Sequence, residues 1–186
     1  MRIVAGKFRG RKILDSTDKK TRPLKDLVKE SIFNVIVHSK KFDLNLENST
    51  ILDLFSGVGS FGLEALSRAA DSVIFIENYP VSLSILKKNI ENLNLGKRCK
   101  IVEKDILKDL NFKVFKKKFN IIFLDPPFKE KNISYLLIKI FESKILDKDG
   151  IIIIHRNHKE SDKFPEELEI LEEKKYGLSK ILFCKF

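Results

Sequence analysis

The strongest constraint on this chain is the order in which short apolar runs alternate with longer amphipathic ones. Apolar runs of strand length stand at 50–55, 73–76, 100–103, 120–124 and 150–154. Segments with helical spacing lie between them at 60–70, 80–94 and 132–143, with a shorter one within 106–117. Runs such as Ile121–Leu124 and Ile151–Ile154 are apolar at every position, which suits strands buried on both faces. Parallel strands also need helix-length crossovers between them. The order therefore predicts an α/β fold, a mostly parallel sheet with helices on both faces. Tyr176-Gly177 splits the end of the chain into 167–175 and 179–186, which predicts a final antiparallel hairpin.

Upstream, 2–5 and 11–14 flank Lys7-Phe8-Arg9-Gly10 as a short hairpin bending at Gly6 and Gly10, and apolar spacing predicts a helix over 24–38. With 186 residues and no repeat or linker, the chain reads as one domain, 1–186, with a basic extension over 1–41 packed on it. That extension holds +8 of the net charge of +10, from twelve Lys/Arg against four Asp/Glu. A basic end on a nearly neutral body is the electrostatic footprint of a polyanion partner. Arg2, Arg9, Arg11 and Arg22 are interleaved with Phe8 and Gly10, and guanidinium forks both grip phosphate and stack on bases. With Lys7, Lys12 and Lys25 they form the candidate nucleic-acid surface, whereas Lys116–Lys118 reads as solvated charge.

Cys99 and Cys184 form no CxxC pair, and His38, His155 and His158 are scattered, so no metal set and no disulfide framework is expected. The charged start MRIVAGKFRGRK is no secretory leader, and no apolar run could span a bilayer. A soluble cytoplasmic protein is expected.

Ligands of such sheets collect beyond the carboxyl ends of the strands, beside the switch in strand order. After the first strand, Phe55 and Ser56 lead into Gly57, Gly59 and Gly62, a G-x-G-x-x-G, and Glu77 ends the second strand with Asn78 behind it. Glycines let backbone approach a ligand, and an acid at that spacing can hold ribose hydroxyls, in a dinucleotide or in S-adenosylmethionine alike. Asp53 favours the latter. A carboxylate beside the loop repels a pyrophosphate but suits an ammonium and a sulfonium. Asp53 could equally fix the loop through backbone N–H groups. Asp105, followed by Ile106 after the third strand, could accept from an adenine amine or cap a short helix.

The fourth strand ends in Asp125-Pro126-Pro127-Phe128. The carboxylate and the Pro126 carbonyl offer acceptors, and proline contributes no N–H. Such a tip suits an –NH2 group, with Phe128 as a stacking face for a flipped base. Acceptors there localise the amine lone pair and stabilise the charge developing on nitrogen during methyl transfer.

RIVAGKFRGRKI, TRPLKDLVKESIFNVI, LDLFSGVGSFGLEALSRAA and DPPF, in that order and spacing, resemble the RsmD family from end to end. The resemblance implies a seven-stranded Rossmann-like methyltransferase with an antiparallel last strand. It also implies S-adenosyl-L-methionine as donor, S-adenosyl-L-homocysteine as product, and N2 of a guanine in 16S rRNA of the assembling small ribosomal subunit as target; a monomer is expected. Carried over by position, Asp53, Phe55, Ser56, Gly57, Gly59, Glu77, Asn78, Asp105 and Ile106 are cofactor residues, and Asp125, Pro126, Pro127 and Phe128 are catalytic. Leu24 and Tyr79 depart from the family pattern, which often has Thr and an acid at those places. The alternative within this chemistry is methylation of adenine N6 or of another guanine N2. A nicotinamide-dependent oxidoreductase is disfavoured by Asp53, and a non-catalytic RNA-binding module does not need DPPF.

Overall fold

A computed structural model describes residues 1–16, 24–108 and 111–186. Among the described residues the elements run α1 (Asp26–His38), β1 (Thr50–Leu54), α2 (Ser60–Ser67), β2 (Ser72–Glu77), α3 (Pro80–Asn92) and β3 (Cys99–Glu103). They continue with β4 (Phe119–Leu124), α4 (Ile133–Ser143), β5 (Leu146–Asn157), β6 (Glu169–Tyr176) and β7 (Ser179–Lys185). The strands form one seven-stranded sheet in the order β3-β2-β1-β4-β5-β7-β6. Only β7 runs against its neighbours, pairing antiparallel with both β5 and β6. The expected architecture holds.

Two of the expected elements differ. The segment within 106–117 forms no α-helix among its described residues; it makes a turn and a single 3-10 turn over Phe112–Val114. Asn111 caps that turn by accepting the Lys113 N–H at 3.0 Å. The fifth strand is also longer than its apolar run, because Leu146–Gly150 extend it with an irregular register beside Phe119.

Alternation along the strands builds two cores. Ile51, Val73, Phe75, Ile121, Phe123, Ile151, Ile153 and Phe183 face one side, with α1, α2 and α3. Leu52, Leu54, Ile74, Ile122, Leu124, Ile152 and Leu182 face the other, with α4. On the first side, Phe61 stacks between Phe33 (5.1 Å) and Phe123 (3.9 Å), tying α1 and α2 to β4. Burial pushes the Cys99 and Cys184 thiols up to about 12, so both stay protonated at neutral pH. No helix among the described residues is long and apolar enough to cross a membrane.

The N-terminal residues pair as expected, Arg2 bridging Lys12 antiparallel, and they are riveted to α2. The fully buried Glu64 accepts the N–H groups of Val4 (2.7 Å) and Ala5 (2.9 Å) and the Arg68 Nε (2.8 Å). Lys29, also fully buried, sits 3.4 Å from Glu64 and donates to the Arg2 carbonyl at 2.6 Å. Its charge therefore belongs to the interior and adds nothing to the basic surface of 1–41. Gly6 lies against the end of α2 at φ +81°, where an added Cβ would fall 1.9 Å from the Ser67 carbonyl oxygen.

Removing the Glu64 carboxylate leaves the Val4 and Ala5 N–H groups unpaired and the buried Lys29 with only the more distant Asp26 as counter-charge. Glu64→Ala should cost about 3–5 kcal/mol, the usual penalty for breaking a buried pair. Urea unfolding measures the loss, and proteolysis should cut the N-terminal segment of the variant before the sheet. A loss under about 1 kcal/mol, the range of exposed pairs, would refute the anchoring role.

Candidate active site

The carboxyl ends of β1, β2 and β4 surround a cavity of about 440 Å³. Asp53, Phe55, Ser56 and Gly57 reach it from β1 and its loop, Glu77, Asn78 and Tyr79 from the end of β2, and Asp125–Phe128 from the end of β4. Met1, Asp15 and Leu24 of the N-terminal region close one wall. The sequence showed no signal for that last contribution; it arises because the hairpin docks on α2 and because Asn89 of α3 binds both the N–H and carbonyl of Leu14 and the carbonyl of Val58.

The glycine loop turns as its residues require. Gly59, at φ +86°, caps α2, and a Cβ there would meet the Leu86 side chain at 2.5 Å. Phe55 also takes a left-handed conformation at φ 59°, an uncommon cost for a residue with a Cβ and a strain of the sort met at binding loops. Glu77 holds the loop from the next strand: one oxygen accepts the Gly57 N–H at 2.7 Å, the other those of Asn78 and Tyr79.

Asp53 is fully buried. Its Oδ2 accepts the Gly62 N–H at 3.1 Å, so the loop-fixing reading is realised, while Oδ1 has no hydrogen-bond partner. Burial raises its carboxyl well above the ordinary aspartate range, against the lowering effect of the Gly62 N–H, and the charges of Asp125 and Glu77 push the same way. The cavity thus gathers Asp53, Glu77 and Asp125 from the strand ends and Asp15 from the N-terminal wall, which favours a cationic ligand.

Asp105 and Ile106 do not line this cavity. Asp105 lines a separate, open cleft with Asn78, Pro80 and Lys87, and its carboxylate accepts the Leu107 N–H at 3.0 Å as a turn cap. Ile106 is buried in the core on the α4 side and lines neither cavity. Its branched apolar side chain gains more from that core than from a polar cleft. Of the candidate nucleic-acid residues, Arg2, Lys7, Arg9, Arg11, Lys12 and Lys25 are exposed, with Lys7 and Arg11 over the Phe8 ring. Arg22 lies outside the described residues.

Two residues that sequence reasoning passed over grip the β4 tip from β5. His155 Nδ1 lies 2.8 Å from Asp125 Oδ1, and its Nε2 lies 2.9 Å from Ser179 Oγ. Arg156 donates to the carbonyls of Pro127 (3.2 Å) and Glu130 (2.8 Å) while paired with Asp162 at 2.7 Å. The signal was present: both follow directly on the apolar run Ile151–Ile154, at the same strand end as the rest of the cavity. No group of three His, Cys, Asp or Glu among the described residues could hold a metal ion.

A family profile described as "Conserved hypothetical protein 95" matches residues 1–185. The chain belongs to the RsmD family of methyltransferases. It is 34% identical to a putative rRNA methyltransferase, YlbH, of Bacillus subtilis, over all of this chain and 98% of that one. It is 31% identical to ribosomal RNA small subunit methyltransferase D of Haemophilus influenzae, over 96% and 90% of the two chains. Among solved structures, the putative methyltransferase yhhF of Escherichia coli superposes with a TM-score of 0.81 at 26% identity, covering 99% of this chain and 96% of that one. This RsmD-family enzyme therefore carries a class I methyltransferase sheet with its carboxylates at the switch point between β1 and β4.

The raised Asp53 carboxyl has a stability consequence with a definite sign. Below the ordinary aspartate range the folded and unfolded chains are both protonated there. As pH rises, the unfolded chain ionises while the buried group resists, so stability is lost. Asp53→Asn keeps the Gly62 bond and removes that cost. Its melting temperature should exceed the parent's at pH 7, by roughly 2–4 °C per kcal/mol relieved, and the gap should close as pH falls toward the ordinary aspartate range. Melts at the two pH values check this; a variant no more stable at pH 7 contradicts the assignment.

Proposed function

We propose that this RsmD-family enzyme methylates the exocyclic N2 amine of a guanine in 16S rRNA of the small ribosomal subunit, using S-adenosyl-L-methionine and releasing S-adenosyl-L-homocysteine. The observation that carries the reading is the pairing, across one cavity, of an unpartnered buried Asp53 oxygen with the Asp125–Phe128 tip. The relatives named as small subunit methyltransferase D support the ribosomal target, and the end-to-end family resemblance supports guanine N2.

The residues fit the cofactor. Asp53 Oδ1 suits an ammonium, which would satisfy an acceptor that is otherwise stranded and relieve the repulsion of Asp53 by Asp125 and Glu77. Glu77 has lone pairs left for ribose hydroxyls, and Phe55 and Tyr79 provide apolar wall. When bound, the cofactor supplies an electrophilic methyl group. The chain's own part is alignment and charge. Asp125 and the Pro126 carbonyl accept hydrogen bonds from the amine, turn its lone pair out of the ring system and stabilise the positive charge that develops on nitrogen. Asp125 can then hold the proton the amine loses. Phe128 offers its face to the extruded base, and the basic residues of 1–41 hold the RNA backbone beside the cavity.

Asp125→Ala should reduce methyl transfer to small subunits by at least roughly a hundred-fold, the scale of losing one electrostatic donor or acceptor, with cofactor affinity changed only a few-fold. Mass mapping of 16S rRNA from cells with and without the protein names the nucleotide; an unchanged map would overturn the reading. Arg9→Ala combined with Arg11→Ala should weaken RNA binding and flatten the dependence of log affinity on log salt by roughly 1.4–1.8, the slope carried by two phosphate-neutralising cations. Salt titration of RNA affinity checks this, and identical slopes would remove the hairpin from the interface.

A further inference from the structure

We propose that His155 is a positioning residue for methyl transfer, orienting both the Asp125 carboxylate and the Phe128 ring toward the target base. The inference rests on the reading of Asp125 as acceptor for the amine.

The sheet register creates the contact. Leu124 pairs with Ile154 in the parallel β4–β5 ladder, so Asp125 and His155 are the next residues beyond the last pair. Both continue the face of Phe123 and Ile153, and on the far side Ser179 precedes Ile181 on the same face of β7. His155 is 2% exposed and both ring nitrogens are engaged, with Asp125 Oδ1 at 2.8 Å and Ser179 Oγ at 2.9 Å. Its ring also meets Phe128 edge-to-face, at 6.0 Å between centroids and 77° between planes. One imidazole thus touches the group that would receive the amine and the group that would stack the base.

The contact decides where the carboxylate points. The terminal torsion of aspartate is broad, so an unsupported side chain at a strand end samples many orientations. Asp53 repels Asp125 from the β1 side. His155 holds it from the β5 side by one oxygen, and among the described residues the second oxygen takes no hydrogen bond and is available to the amine. A carboxylate acceptor needs the proton on Nδ1. Ser179 then completes the ring by donating to Nε2 when the imidazole is neutral, or by accepting when it is charged. A histidine that merely filled core would need neither arrangement.

His155→Asn places an amide N–H near the position of Nδ1–H, and His155→Phe keeps the ring volume and the Phe128 contact without any donor. Turnover of His155→Phe should fall roughly thirty-fold (about 2 kcal/mol), while affinity for S-adenosyl-L-homocysteine and KM for small-subunit RNA stay within about two-fold. His155→Asn should retain turnover within roughly five-fold, whatever both variants lose in melting temperature. The reverse ranking, phenylalanine tolerated better than asparagine, is the signature of a packing role and overturns the proposal. If His155→Phe does not fold, nitrogen-15 NMR of the parent enzyme decides. A ring protonated on Nδ1, neutral or charged, is expected, and a neutral ring protonated only on Nε2 overturns the proposal. Asp125→Ala separates the two levels. If it retains turnover the underlying reading fails; if it is inactive while His155→Phe turns over within about three-fold of the parent, only the positioning role fails.

Discussion

Everything in this molecule depends on β1 and β4 lying side by side in a parallel sheet. The chain leaves β1 toward β2 and β3, then returns across the sheet to β4, so the loops after β1 and β4 diverge and leave a crevice between them. Asp53 pairs in register with Phe123, and the Asp125 N–H reaches the Leu54 carbonyl. The sheet therefore forces carboxylates from two strands, with Glu77 from a third, into one cavity. Burying the Asp53 carboxylate opposes folding, and the neighbouring charges of Asp125 and Glu77 add to that cost, as its raised carboxyl records. The arrangement persists because apolar burial along both faces of the sheet holds the strands regardless.

The basic N-terminal region is part of this construction. Glu64 and Lys29 carry opposite charges into the interior, where neither would survive alone, and together they anchor the hairpin backbone to α2. Asn89 then links Leu14 to Val58 of the glycine loop through one amide. The basic segment is thereby held against the cavity, where Met1, Asp15 and Leu24 form one wall. In the function proposed above, rigid attachment of these cations beside the cavity spares the entropy that a mobile arm would lose on binding RNA.

The β4 tip is supported from β5 at two levels. Arg156 fixes loop backbone through the carbonyls of Pro127 and Glu130, and Asp162 neutralises that buried guanidinium. His155 holds the Asp125 side chain itself. Two prolines restrict φ but cannot select a side-chain orientation, so the stiffness of the DPPF tip comes as much from the neighbouring strand as from its own residues.

By itself the sequence determined the alternating strand and helix order, the glycine turn, the acids at the strand tips and the DPPF motif. Each rests on periodicity or on local backbone chemistry, which act over a few residues. The N-terminal hairpin was legible for the same reason, since Gly6 and Gly10 mark its bends. Among the described residues of 106–117 no α-helix forms, and the weak local pattern gives way to the packing of Phe112 in the core and Phe115 against it. What only the tertiary structure decided is which distant residues meet. His155 lies 30 positions from Asp125, Glu64 lies 60 from Val4, and Leu14 lies 75 from Asn89. Those encounters follow from strand order and register, which are set by how whole faces bury together, and no local pattern encodes them.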